Sequence, residues 1–129
     1  MNLASAQKLI QQASNTADSL GLKVSICIVD THGVPVALAR MDGARVFTGD
    51  VARGKAMVSA LFGRPSGSFG EGSNPAVLDN INKMNGDKMF FVQGAVPITE
   101  QEVVTGAIGV SGATAQQDED IAKSASDAI

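Results

Sequence analysis

The sequence has 129 residues, of which 44% are hydrophobic and 4% aromatic, and its formal net charge is −3. This length fits one domain covering residues 1–129. Because the chain has no Trp or Tyr and a net negative charge, it is poorly suited to base stacking or polyanion binding, and no nucleic-acid partner is expected.

The first third of the chain predicts a helix followed by a β-hairpin. Apolar residues recur at steps of three or four between Leu3 and Leu20, and Asn2 is suited to cap this helix. Residues 22–30 alternate in the manner of a strand, the run DTHG makes a turn, and residues 34–41 form the second strand of the hairpin.

The remaining elements are bounded by turn and capping residues. A second helix ends at Phe62 before Gly63, and a short helix follows the loop 63–75, with Asn74 as its cap. Three strands are predicted over 88–93, 95–99 and 102–110, and a last helix begins near Thr114. The fold class is therefore α/β in the α+β sense, with a five-stranded antiparallel sheet packed with helices.

Two glycine-containing stretches are near matches to nucleotide-binding motifs. The run 106-GAIGVSGATAQQDED-120 has the spacing GxxGxxG rather than GxGxxG, and its acidic residues would repel a phosphate. The run 49-GDVARGKA-56 lacks the Ser or Thr that would bind magnesium, and it reads as a helix. Neither motif is expected to bind a nucleotide, and Gly106 and Gly109 are expected to allow close approach along a strand.

Cys27 is the single cysteine and lies in an apolar run, so it is expected to be a buried, unreactive thiol. A single thiol suits a reducing compartment. No segment has the roughly 18 apolar residues of a membrane span, and the N-terminus does not resemble a signal peptide. We therefore expect a cytoplasmic protein without a membrane partner.

The charged residues are unevenly distributed. Most of the basic ones in the centre lie in one window, opposed there by Asp42 and Asp50: Arg40, Arg45, Arg53, Lys55 and Arg64. A basic centre is suited to a small anion, and the candidate ligand-binding residues are Arg40, Asp42, Arg53, Lys55 and Arg64. The alternative is that these residues form solvated faces, which could meet acidic faces across subunits.

His32 is the only histidine. This excludes a multi-histidine metal site, and no metal site is expected. His32 is a candidate axial ligand for haem, although a histidine in a turn is more often simply exposed to solvent. The sequence contains no complete catalytic constellation, so a catalytic site is not expected.

Three runs together resemble the GlcG/HbpS family: VDTHGVPVALARMDGA (29–44), DVARGKAMVSALFGRPSG (50–67) and VVTGAIGVSGATAQQDED (103–120). They are also similar to the C-terminal domain of PduO-type proteins. The resemblance implies a profilin-like fold with three layers, homo-oligomers from dimers to octamers, and binding of haem or another tetrapyrrole.

Two functions are consistent with these observations. The first is an oligomeric accessory protein that binds haem or another small ligand without catalysis. The alternative is an enzyme that acts on a small carboxylate metabolite through the basic residues.

Overall fold

The computed structural model describes residues 1–70 and 72–129, and these ranges contain four helices and four strands. In chain order the elements are α1 (Leu3–Ser19), β1 (Ser25–Val29), β2 (Pro35–Arg40), α2 (Thr48–Phe62), α3 (Pro75–Met84), β3 (Ala95–Glu100), β4 (Val103–Ser111) and α4 (Ala115–Ser126). Within the described ranges, no helix is long and apolar enough to cross a membrane.

The strands form one antiparallel sheet in the order β2-β1-β4-β3. Strands β1 and β2 form the predicted hairpin, and β3 and β4 form a second one. The two hairpins join through β1 and β4, where Ile26 lies opposite Val110 and Ile28 lies opposite Ile108. The predicted antiparallel arrangement is therefore confirmed.

Helices cover both faces of this sheet, because successive strand residues point to opposite sides. On one face, Ile26 and Ile28 belong to the larger apolar core together with residues of α1 and α4. On the other face, Cys27 packs with Ala52 and Ala56 of α2. The result is three layers, as predicted, whereas the likeness to profilin stays a prediction.

The predicted strand over 88–93 is wrong, and the sheet has four strands rather than five. The backbone of this segment bonds to groups outside any sheet. Met89 donates its N–H to Asn82 Oδ1 at 2.9 Å, and Phe90 donates its N–H to the carbonyl of Gly54 at 3.2 Å. The segment is therefore held by a side chain and by a helix carbonyl, and none of the strands in the described ranges pairs with it.

Ser66 holds the loop after α2 against the start of β3. Its hydroxyl donates to the carbonyl of Val92 at 2.6 Å and accepts from the N–H of Ala95 at 2.9 Å. The N–H of Ser66 in turn donates to the carbonyl of Ala95 at 3.0 Å. One buried serine thus links Val92 to the first residue of β3.

The predicted caps are confirmed. Asn2 Oδ1 accepts from the N–H of Ser5 at 2.8 Å, which starts α1. Thr114 and Gln117 form a complete capping box at the start of α4. Gly63 has a φ of 68° and ends α2 in the left-handed conformation that favours glycine.

Gly106 and Gly109, the first two glycines of the run GAIGVSG, allow close packing, as predicted. A Cβ at Gly109 would strike the backbone of α2 at Ala52 and Ala56, and one at Gly106 would strike the carbonyl of Val29. These glycines therefore bring α2 and β1 close to β4. The segment 49–56, the near match to a phosphate-binding loop, lies within helix α2, as predicted.

Cys27 is completely buried, as predicted. Burial raises the pKa of its thiol to about 12, and the positive charge of Arg53 lowers it by a smaller amount. The thiol is therefore protonated at neutral pH and is inaccessible to reagents.

Candidate functional site

The turn between β1 and β2 presents His32 to solvent. Asp30 Oδ1 accepts from the N–H of His32 at 2.9 Å and from the N–H of Val34 at 3.1 Å. Gly33 adopts a φ of 75° and donates its N–H to the carbonyl of Asp30 at 3.0 Å. The backbone of the turn is thus fixed by Asp30, and the imidazole is left exposed.

This turn lies against the second half of α2. A Cβ on Gly33 would lie 2.9 Å from Met57 Cγ and 3.6 Å from Leu61 Cγ, so the turn and helix are in direct contact. Leu61 is 40% exposed, and Val34 beside the histidine is 55% exposed. The turn that carries the exposed imidazole therefore has exposed apolar side chains beside it.

An aromatic cluster lies at the C-terminal end of the same helix. The ring of Phe69 is edge-on to Phe62 at 4.9 Å and to Phe91 at 5.2 Å between centroids. The guanidinium of Arg64 lies 3.9 Å from the centroid of Phe69. Arg64 itself is exposed, so its charge is available to a ligand.

A buried ion pair links the middle of α2 to the start of α4. Lys55 Nζ lies 3.2 Å from Asp118 Oδ2 and donates to the carbonyl of Val110 at 3.1 Å. Asp118 Oδ1 accepts from the N–H of Ala113 at 2.9 Å. Burial raises the pKa of Asp118, and the N–H of Ala113 and the ammonium of Lys55 oppose this rise.

The structure separates the candidate ligand-binding residues Arg40, Asp42, Arg53, Lys55 and Arg64. Lys55 is 3% exposed and bonded to Asp118, so its ammonium cannot serve a ligand. Arg64 follows the end of α2, a helix of 15 residues that is about 22 Å long, so it is remote from the residues that precede this helix.

The other three candidates lie nearer the start of α2. Arg40 is exposed at the end of β2, and Asp42 is exposed in the turn that follows. Arg53 is half-buried and lies 3.9 Å from Asp50, the local ion pair that helical spacing favours. Its Nε is buried without a hydrogen-bond partner among the described residues.

A pocket that was not predicted lies at the N-terminal end of α2. Its volume is about 360 Å³. It is lined by Arg45, Phe47, Thr48, Ser111, Gly112 and Ala113. Arg45 belongs to the basic window, but nothing in the sequence distinguishes it from the other cations there. The position of Ser111 opposite Ser25 depends on the pairing of β1 with β4, which the sequence does not specify.

Comparison with known proteins identifies the family. The family model described as "Haem degrading protein HbpS-like" matches residues 1–127. The chain belongs to the HbpS-like family. The predicted resemblance to GlcG/HbpS proteins is therefore confirmed.

Two curated relatives of this HbpS-like chain differ in length. An uncharacterised 15.0 kDa protein of Citrobacter freundii, encoded between dhaT and dhaS, is 29% identical over 98% of the chain and 90% of its own length. The corrinoid adenosyltransferase PduO of Salmonella typhimurium is 27% identical over 95% of the chain. The chain spans only 37% of that PduO protein.

Solved structures agree with the fold. The ORFY protein of Klebsiella pneumoniae is 27% identical, with a TM-score of 0.86 over 98% of this chain and 88% of ORFY. A PduOC–haem complex is 24% identical, with a TM-score of 0.86 over all of this chain and 94% of that one. At this identity, the second likeness is evidence for the fold alone.

Proposed function

We propose that this HbpS-like chain is an accessory protein that binds haem or a related tetrapyrrole, with His32 as an axial ligand. The observation that carries this proposal is the exposed imidazole on a rigid turn beside apolar side chains of α2. The family description, which names haem, supports the choice of ligand.

The residues at this end of the molecule fit a tetrapyrrole in their chemistry. A neutral imidazole is a common axial ligand of haem iron. Val34 and Leu61 offer exposed apolar surface for a porphyrin face. Arg64, three residues beyond Leu61, offers a guanidinium suited to pairing with a propionate. When bound, haem supplies redox and gas-binding chemistry, while the protein supplies the ligand, the apolar surface and the charge.

Titration with hemin, followed in the Soret region, tests this proposal. We expect the wild-type protein to give a saturable shift and His32→Ala to lose the spectrum of the histidine-ligated form. Thr31→Ala is the matched control, because it truncates the neighbouring exposed residue of the same turn. If wild type gives no shift, haem is not the ligand. If His32→Ala gives the wild-type spectrum, His32 is not the axial ligand.

The homo-oligomer implied by the resemblance is proposed as well. Its support is the apolar surface of α3, where Val77 is 51% exposed and Met84 is 84% exposed. Exposed apolar side chains that form one helix face are typical of interaction surfaces. Sedimentation velocity of wild type and Met84→Asp tests this proposal, and equal sedimentation of the two proteins as oligomers would exclude α3 from the interface.

The alternative of an enzyme that uses the five charged residues has less support. Such a site needs an acid or base within hydrogen-bond reach of one bound substrate. Lys55 is already bonded to Asp118, and Arg64 lies beyond the far end of α2. The accessory role is therefore the function we propose.

A further inference from the structure

The pocket at the N-terminal end of α2 contains a row of hydroxyl groups. Ser25 and Ser111 are directly opposite each other on β1 and β4. Ser25 Oγ lies 2.8 Å from Thr48 Oγ1 at the start of α2, so this row faces α2. Because paired residues of neighbouring strands point to the same side, Ser111 faces the pocket beside Thr48.

The hydroxyl of Ser111 is the free donor in this row. Thr48 uses its single proton to donate to the carbonyl of Arg45 at 2.7 Å, so Ser25 must donate to Thr48. Ser111 is only 7% exposed and lines the pocket, and no side-chain hydrogen bond within residues 1–70 and 72–129 uses its hydroxyl. A hydroxyl on a mostly buried residue that lines a pocket is held in place and is free to donate to a ligand there.

The charge in the pocket is positive. Arg45 lines it, and no acidic residue is among the lining residues. The guanidinium of Arg45 forms no ion pair or hydrogen bond with any other described residue, whereas the carbonyl of Arg45 is bonded to Thr48. The backbone of Arg45 is therefore anchored while its charge is available.

The nearest buried acid is already paired with a cation. Asp118 accepts from the N–H of Ala113, and its other oxygen lies 3.2 Å from Lys55 Nζ. The carboxylate therefore holds the wall formed by Gly112 and Ala113 in place, and its charge is balanced within the protein. Arg45 is therefore the only charged residue among those that line the pocket.

The pocket is small and open to solvent on one side. A volume of about 360 Å³ is near the lower limit of about 300 Å³ for small-molecule sites. Phe47, which is 55% exposed, provides an apolar wall beside the charged group. These features suit a small oxyanion with a short apolar part.

We propose that this pocket binds a small oxyanion, a carboxylate or a phosphate, through the Arg45 guanidinium and the Ser111 hydroxyl. The guanidinium matches two oxygens of either group, and the hydroxyl donates to one of them. This site is separate from the proposed haem surface, because it lies at the opposite end of α2 from Leu61 and Arg64.

An NMR titration of the full chain at constant ionic strength tests the proposal. The probes are lactate as a carboxylate, inorganic phosphate, and chloride as the control. We expect saturable shifts of the amide signals of Gly112 and Ala113 with lactate, phosphate or both, and the tighter of the two identifies the preferred oxyanion. Shifts confined to other parts of the chain, or the same shifts with chloride, would overturn the proposal.

Variants then test the two side chains. Arg45→Gln is expected to weaken binding by about tenfold or more, and Ser111→Ala by about fivefold, since the first removes a charged hydrogen bond and the second a neutral one. Lys123→Gln removes the same charge from an exposed position on α4 and is expected to change nothing. Equal weakening by Arg45→Gln and Lys123→Gln would show a general charge effect and would overturn the site. The amide spectrum of each variant reports its folding directly.

Discussion

The two ends of α2 have opposite chemical character. At the N-terminal end, Arg45, Thr48 and Ser111 surround a pocket with a cation and hydroxyl groups. At the C-terminal end are the turn that carries the exposed imidazole, which packs against Met57 and Leu61, and an aromatic cluster around Phe62. The first end is suited to a small oxyanion, and the second is suited to a large flat apolar ligand with an acidic edge.

One buried contact lies between these ends. The Lys55–Asp118 pair joins the middle of α2 to the start of α4 and supports the wall of the polar pocket. The His32 turn rests on α2 further along, at Met57 and Leu61. The ends are therefore expected to respond separately to local changes and together only when this pair is broken.

Removing the buried carboxylate should have the largest effect. Asp118→Ala leaves the Lys55 ammonium buried without a counter-charge, and we expect a loss of about 3–5 kcal/mol in the free energy of unfolding, measured with urea. Asp79→Ala is the matched control, because it breaks the exposed ion pair with Lys83 at 3.0 Å and should change stability little. Equal effects of the two substitutions would contradict the role given to the buried pair.

Adding a methyl group beneath α2 should have the next largest effect. Gly109→Ala places a Cβ against the backbone of Ala52 and Ala56, and the expected cost is about 1–3 kcal/mol in the free energy of unfolding. Gly70→Ala is the control, since no described atom lies within 4 Å of the added Cβ. We also expect Gly109→Ala to weaken oxyanion binding more than hemin binding, and the reverse order would contradict the separation of the two ends.

The buried thiol of Cys27 beneath α2 makes the free energy of unfolding decrease at alkaline pH. The pKa of the thiol is raised from 9.0 to about 12 in the folded state. The protonated thiol therefore makes its full contribution to the free energy of unfolding below pH 9, and this contribution is lost as the pH rises toward 12. Between pH 7 and pH 10, wild type should lose about 1–2 kcal/mol more unfolding free energy than Cys27→Ala. Urea unfolding of both proteins at the two pH values measures this, and an equal loss would show that the thiol is not buried.

Disruption of the His32 turn should have the smallest effect on stability. Asp30→Ala removes the acceptor for two backbone N–H groups, and we expect a loss of about 1 kcal/mol together with weaker hemin binding. Asp42→Ala, in the exposed turn after β2, is the control for the lost charge. If both variants bind hemin like wild type, a rigid turn is not needed for the proposed ligand.

Much of the fold follows from local sequence signals. The caps at Asn2 and Thr114, the stop at Gly63 and the alternation through β1 all depend on residues within a few positions of each other. The strand over 88–93 was predicted wrongly from its strand-forming residues. Two of its backbone N–H groups are bonded to the Asn82 side chain and the Gly54 carbonyl rather than to another strand. The strand propensity of a segment does not specify which other part of the chain will lie next to it and accept its hydrogen bonds.

The candidate sites were less accessible to prediction for the same reason. Lys55 and Asp118 are 63 positions apart, and only the folded chain brings them into contact. Lys55 was therefore grouped with the ligand-binding cations although its charge is satisfied inside the protein. Ser25 and Ser111 become neighbours only through the pairing of β1 with β4. His32, by contrast, could be proposed as a ligand from the sequence alone, since it is the only histidine and lies in a recognisable turn.

Pulsed EPR of the haem-loaded protein tests the central proposal most directly. Tag-free protein made with ¹⁵N-labelled histidine carries the label only at His32, because the chain has no other histidine. Our account predicts a ¹⁵N hyperfine coupling to the ferric iron, which is replaced by a ¹⁴N coupling in unlabelled protein. A haem complex with the same spectrum in labelled and unlabelled protein would contradict the assignment of His32 as the axial ligand.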